Sequence, residues 1–288
     1  MKECLSISDI HLFNPRKEAA GKTEFLTEQV LKYLCLMLHP GLVTPTAIER
    51  CMQTAYVAKL NSGCLSRQVG AVITDQDYSI KAIGWNDVPS GQIPCNLRCT
   101  IDYATNCDGE SFSDYERQDE RFNQCLIAVH NAVNDELKET GLAYAYCFKD
   151  VYNAVTGKKN QVHTRALHAE ENAFLQISKY GGSGIKGGKL FSTASPCELC
   201  SKKAFQLGIR EIYYIDPYPG ISENHILHFG TKFRPSLNLY YGAIGNAYVN
   251  LYTPRIPLKD ELELLTGIEP GTVIKQKKEA EEDNKTGK

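Results

Sequence analysis

Two short motifs, His168-Ala169-Glu170 and Pro196-Cys197-Glu198-Leu199-Cys200, stand 26 residues apart from glutamate to proline and constrain this chain more than any other feature. One imidazole and two thiolates suit zinc. Three protein ligands leave the fourth tetrahedral position to water, as in a catalytic rather than a structural site. Water on such an ion ionises near about pH 7 instead of about 15.7, and Glu170 is placed to move its proton. A Cys-x-x-Cys pair alone also reads as a structural zinc half-site or a redox pair, but neither has a use for Glu170.

The remaining composition narrows the partners. With 288 residues and 42% hydrophobic content the chain can bury a sizeable core. A net charge of -2 leaves no overall footprint for a phosphate backbone, so a free nucleotide suits it better than a polymer. The eleven cysteines are expected as reduced thiols in a cytoplasm, because the opening Met-Lys-Glu-Cys has no signal-peptide apolar core. No apolar run approaches a membrane span.

Periodicity divides the chain into an N-terminal helical extension over 1–43, a main domain over 44–257 with an insertion at about 87–163, and a largely disordered C-terminal tail over 258–288. The extension carries a helix from Thr23 to Leu38, ended by Pro40-Gly41. Gly21-Lys22-Thr23 is not a phosphate loop, since Arg16 holds the position where that motif needs glycine. Thr44 and Pro45 open a helix with Ile48, Met52, Ala55 and Leu60 on its apolar side. Val69–Thr74 and Ser79–Gly84 form a hairpin about Asp75-Gln76-Asp77. In the insertion only a helix over Arg117–Leu137 is legible. A helix from His168 to Tyr180, closed by Gly181-Gly182, precedes a strand Lys189–Thr193. A helix capped by Ser195 and Pro196 runs to Leu207, and Glu211–Ile215 is a strand. From Asp216 to Pro257 a long loop or irregular strand is expected, with Tyr240, Tyr241, Tyr248 and Tyr252 used for packing. The alternation implies an α/β fold whose mixed sheet carries helices on both faces.

These residues resemble the zinc-dependent cytidine and deoxycytidylate deaminase superfamily. Beyond the metal motifs, the likeness extends over roughly residues 44 to 220. Ser66-Arg67-Gln68-Val69-Gly70-Ala71-Val72, Gly84-Trp85-Asn86-Asp87-Val88-Pro89 and Gly187-Gly188-Lys189-Leu190-Phe191 carry it. Within the superfamily, Leu42-Val43-Thr44-Pro45-Thr46, Asn86-Asp87-Val88-Pro89 and Tyr213-Tyr214-Ile215-Asp216-Pro217-Tyr218-Pro219 look most like antiphage deoxycytidine-nucleotide deaminases, which deplete cytosine deoxynucleotides during infection. Members of that group commonly carry a kinase-like domain ahead of the deaminase, and only some 43 residues precede Thr44 here. Compact deoxycytidylate deaminases are equally similar in the core.

The resemblance implies a three-layer α/β/α cytidine-deaminase-like fold with about five strands in a mixed central sheet. It makes His168, Cys197 and Cys200 zinc ligands and Glu170 the proton shuttle. It places Asn86 on a sugar hydroxyl, Arg67 beside phosphate, and Ala169 and Ser195 at the substrate. It also suggests a second, structural zinc on Cys64, Cys95, Cys99 and His163, against the reading of ordinary thiols and a surface histidine. The reaction implied is hydrolytic deamination of dCMP or dCTP in a homo-oligomer responsive to dCTP and dTTP. The alternatives are a nucleic-acid deaminase acting on tRNA adenosine or polynucleotide cytidine, and a noncatalytic zinc-stabilised nucleotide-binding module.

Overall fold

The computed structural model describes residues 7–14, 22–159, 162–181, 184–217, 220–230 and 233–286, so readings that fall on Cys4, Arg16, Gly21, Gly182, Tyr218 and Pro219 lie outside the described residues. Two compact units emerge, 1–11 with 47–242 and 12–46 with 243–288. The first holds the sheet and both metal motifs, and it ends at Gly242 rather than near Pro257.

Chain order gives α1 (Lys22–Leu38), α2 (Ala47–Ala58), β1 (Gly70–Thr74), β2 (Ile80–Trp85), α3 (Thr100–Thr105), α4 (Asp114–Gln118), α5 (Glu120–Leu137) and α6 (Phe148–Thr156). There follow α7 (Ala169–Tyr180), β3 (Lys189–Ala194), α8 (Glu198–Gln206), β4 (Glu211–Asp216), β5 (Ser236–Leu239), α9 (Gly245–Tyr252), α10 (Leu258–Thr266) and α11 (Pro270–Thr286). The strands form a five-stranded mixed sheet in the order β2-β1-β3-β4-β5. The strand β1 runs antiparallel to β2 and β3, while β3, β4 and β5 are mutually parallel.

Side-chain alternation explains the layers. Ile73, Leu190, Ile212 and Leu237 lie in register across four strands and pack with Ala169, Ala173 and Phe174 of α7 and Ala204 of α8. The opposite face carries Val72 beside Phe191, whose ring stacks on Tyr213 at 5.0 Å. Two glycines locate the helices. A Cβ on Gly70 would lie 2.0 Å from the Ala55 carbonyl oxygen of α2, and one on Gly84 would lie 2.3 Å from that of Ala169. Since Gly84 pairs with Ala71 and not with Gly70, α2 and α7 cover opposite faces.

Gly84 therefore sets how closely α7, which begins beside His168, approaches the sheet. Gly84→Ala is expected to destabilise the protein by about 1–3 kcal/mol, because the obstructing atoms are backbone and cannot rotate away. Urea unfolding followed by circular dichroism reads this directly. An unchanged midpoint would show that α7 is free to slide.

Several expectations need correction. Helix α2 starts at Ala47, two residues after Pro45, so Thr44 and Pro45 lie ahead of the helix. Leu60 is 67% exposed, and Cys51 and Ala58 share the buried face with Met52 and Ala55. Helix α8 starts at Glu198 with Cys197 at its N-cap. Ser195 cannot take that role because its N–H donates to the Asp216 carbonyl at 2.9 Å, prolonging the sheet.

The insertion is more regular than its sequence suggests. The expected helix over Arg117–Leu137 splits into α4 and α5 at Asp119, which caps α5 through the Phe122 N–H at 2.8 Å. A capping box of Ser113 and Glu116 starts α4. Tyr103, Phe112, Phe122, Leu126 and Tyr146 give the insertion its own core.

Residues 217–257, expected as loop or irregular strand, contain the fifth strand β5 and helix α9. Tyr240 is buried, whereas the Tyr248 and Tyr252 rings meet within α9 at 5.1 Å with their planes tilted by 59°. The tail forms α10 and α11 rather than being largely disordered. Its Lys- and Glu-rich sequence consists of good helix formers, and Lys259 reaches Glu263 one turn on at 3.6 Å. Within this second unit Gly41 N–H donates to the Leu251 carbonyl at 2.8 Å, and His39 meets Glu261 at 2.8 Å. Among the described residues no helix is long and apolar enough to cross a membrane, and the ten cysteines are free.

Candidate metal and active site

The site lies where the parallel strands end. Residue 195 leaves β3, the chain turns at Pro196, and α8 begins, leaving Cys197 at the N-cap and Cys200 in the first turn. His168 is likewise the N-cap of α7. Burial of Ala169 and Ala173 against β2 brings that helix start to the cysteines.

The ligand atoms of His168, Cys197 and Cys200 all lie within 4.8 Å of one another. His168 Nδ1 is 3.3 Å from Cys197 Sγ and 3.5 Å from Cys200 Sγ. A zinc tetrahedron with ordinary Zn–N and Zn–S bonds has N···S edges of roughly 3.6 Å, so the set fits that ion. The thiols share a proton unequally. Cys200 donates to Cys197, whose pKa is lowered to about 4 against the opposing effect of burial, with help from His168 and the Cys200 N–H. Cys200 is pushed up by the same bond and by burial. The His168 imidazole is raised first by its hydrogen bond to Cys197. Metal binding uses both sulfurs as thiolates and the imidazole in its neutral form, so an ion entering the set would displace the protons held by Cys200 and His168.

Glu170, in the first turn of α7, is 3% exposed. Burial raises its carboxyl above the usual range, although Ser192 Oγ donates to Oε1 at 3.0 Å. A buried carboxyl whose hold on a proton is strengthened suits proton transfer. A cavity of about 300 Å³ opens above it, and Arg67, Asn86, Ala169, Ser195 and Cys197 line it along with Glu170.

Two of those residues are more committed than the sequence suggests. Asn86 accepts from the Val69 N–H at 2.6 Å and donates to the Arg67 carbonyl at 2.7 Å, holding the loop ahead of β1 against the end of β2. Arg67 forms an ion pair with Asp216 at the end of β4.

Of the four residues suggested for a second zinc, no three bring their ligand atoms within 4.8 Å of one another. Among the described residues no other three potential ligands converge as the first set does. The Cys99 sulfur caps α3, giving its proton to Asp102 at 2.9 Å and accepting that residue's N–H. The His163 ring lies 4.5 Å from that of Tyr152. Cys95 is buried near Arg165, and Cys64 lines the cavity.

Sequence reasoning missed Ser192 and Lys149. Ser192 had a signal, a lone hydroxyl inside the apolar run Leu190-Phe191-Ser192-Thr193-Ala194, where a buried polar group requires a partner. Lys149 had none.

A mixed sheet with an open His-Cys-Cys set at its strand ends and a carboxylate beside it defines a zinc-dependent hydrolase site. The chain belongs to the cytidine and deoxycytidylate deaminase family: the model of that family's zinc-binding region matches residues 45–216, more than half of its length. The deoxycytidylate deaminase of Enterobacteria phage T4 is 28% identical over 170 residues, covering 58% of this chain and 76% of that protein. The Schizosaccharomyces pombe deoxycytidylate deaminase is 27% identical over 188 residues, covering 63% of this chain and 41% of that protein. Among solved structures, the cyanophage S-TIM5 dCMP deaminase in complex with dCMP and dUMP aligns with 67% of this chain and 95% of its own, at 24% identity and a TM-score of 0.39.

Proposed function

We propose that this protein hydrolyses the 4-amino group of a deoxycytidine nucleotide, dCMP or dCTP, giving the deoxyuridine nucleotide and ammonia. The observation that carries this reading is the joint placement of the His168, Cys197 and Cys200 ligand atoms with a buried Glu170 at one cavity. Two relatives named deoxycytidylate deaminase support the substrate class.

Zinc, when bound by the three ligands, lowers the pKa of water enough for attack at neutral pH. Glu170 accepts the proton of the attacking water, delivers it to N3 of the ring, and then carries the remaining proton of the C4 hydroxyl to the departing amine. Ser192 fixes the carboxylate throughout by its bond to Oε1. As the C4–N4 bond breaks and a carbonyl forms at C4, one water is consumed and one ammonia leaves.

Ammonia release from dCMP, dCTP, cytidine and a single-stranded oligonucleotide, with zinc counted in the same preparation, tests the reading. The expected result is turnover of the deoxynucleotides and about one zinc per chain. Activity on the oligonucleotide alone would favour a nucleic-acid deaminase, and nucleotide binding without turnover a regulatory module. The likeness to antiphage deaminases also supports a cytoplasmic homo-oligomer that responds to dCTP and dTTP and depletes cytosine deoxynucleotides during infection. A monomer on size exclusion would count against the assembly.

A further inference from the structure

Ser192 is a hydroxyl in an otherwise apolar column. Alternate side chains of a strand share a face, so Leu190, Ser192 and Ala194 of β3 point to the side that α7 covers. Leu190 belongs to the core beneath α7, and Ala194 lines the cavity. Ser192 lies between them, fully buried, and its Oγ donates to Glu170 Oε1 at 3.0 Å. It reaches the chemistry only through Glu170.

A buried hydroxyl costs stability unless it is matched, and alanine or valine would fill this column without that cost. Here the match is the carboxylate itself. A carboxylate has about four acceptor positions, and the Glu170 N–H, an orphan donor of the first turn of α7, also donates to it. The serine hydroxyl carries one hydrogen, and giving it to Oε1 keeps that oxygen an acceptor whether or not the carboxyl is protonated. A proton arriving at Glu170 then belongs on Oε2. The carboxyl can take and release it without turning.

We infer that Ser192 is a positioning residue that separates the roles of the Glu170 oxygens: Oε1 is anchored, and Oε2 alone carries both protons, first from water to N3 and then from the C4 hydroxyl to the amine. The inference rests on the deaminase reading above. Displacing a reacting group by about 1 Å can cost on the order of 100-fold in rate, whereas holding the substrate does not depend on which oxygen faces the ring. The effect therefore falls on kcat.

The experiment measures kcat and KM for dCMP in the wild type, Ser192→Ala and Ser192→Thr, and in Glu170→Gln with and without Ser192→Ala, with zinc content and a melting curve for each. Ser192→Ala is expected to keep its zinc, to hold KM within about twofold and to lose about 10- to 100-fold in kcat. Ser192→Thr, which retains the hydroxyl, is expected to recover most of that loss. In the Glu170→Gln background Ser192→Ala is expected to lower kcat no further, because the group it positions can no longer shuttle protons. An unchanged kcat in folded, zinc-loaded Ser192→Ala overturns the inference, and so does an equal loss in both backgrounds. If the wild type does not deaminate dCMP, the deaminase reading fails by itself. Melting then still tests the contact: Ser192→Ala is expected to destabilise less in a Glu170→Ala background than in the wild type, and equal shifts would remove it.

Discussion

Glu170→Gln is expected to keep its zinc and lose turnover by about 10³ to 10⁴, the upper range for a positioned acid–base group. The substitution preserves shape, and Ser192 Oγ still has a carbonyl oxygen to donate to in place of Oε1. Ligand geometry is set by His168, Cys197 and Cys200, so metal content should not change. What disappears is the capacity to take one proton from water to N3 and to carry the second, from the C4 hydroxyl, to the amine. The decisive pair of measurements is zinc by mass spectrometry and ammonia release on one sample. Retained activity would mean another group moves the proton, while loss of zinc would mean Glu170 supports the ligands instead. Glu170→Ala makes a useful contrast, since it also strands the Ser192 hydroxyl in a site where a buried donor needs a partner.

The same residues show what a sequence can disclose. His168, Glu170, Cys197 and Cys200 are separated by local spacings that two helix starts convert into a cluster, so the site was visible before any tertiary information. The hairpin β1–β2, helix α7 and strand β3 were equally plain, because each is apolar with one dominant period. Strand β5 was missed because Ser236-Leu237-Asn238-Leu239 is an edge strand of four residues, too short for its alternation of two leucines with polar residues to stand out from the surrounding loop. The insertion was obscure for a different reason. Apart from α5 its helices are short, and they pack through Tyr and Phe pairs distant in sequence, such as Tyr103 with Tyr146, 43 positions apart. Lys149 reaches the cavity only through that packing, so no local pattern could mark it.

Because the insertion forms a wall of the site, its internal stability has functional consequences, and these converge on Arg98. The guanidinium is fully buried. It forms an ion pair with Glu116, donates to the Ser111 carbonyl at 2.7 Å and to the Tyr146 hydroxyl at 3.0 Å, and lies 5.0 Å from the centroids of both Phe112 and Tyr146. Glu116 accepts in addition from Tyr146 at 2.7 Å and from the Ser113 N–H at 2.8 Å. Breaking such a pair from one side leaves an uncompensated interior charge, so Glu116→Ala should cost about 3–5 kcal/mol. Arg98→Met should cost a similar amount by orphaning the carboxylate. Replacing both, with Arg98→Met and Glu116→Leu, should recover much of the loss, because an apolar pair avoids the desolvation that the ions suffer. The pH dependence follows from the carboxyl. Burial would raise its pKa, but Arg98, then Tyr146 and Ser113, together hold it below its ordinary 4.5. A group depressed in the native state stabilises the fold above its unfolded pKa and loses that contribution as pH falls through the native value. Wild-type stability from this pair should therefore be level between pH 7 and about 5 and should decline below about 4.5, whereas the double variant should lack this decline. Denaturant midpoints across that range distinguish the two, and parallel curves for both proteins would show that the buried pair does not hold the insertion together.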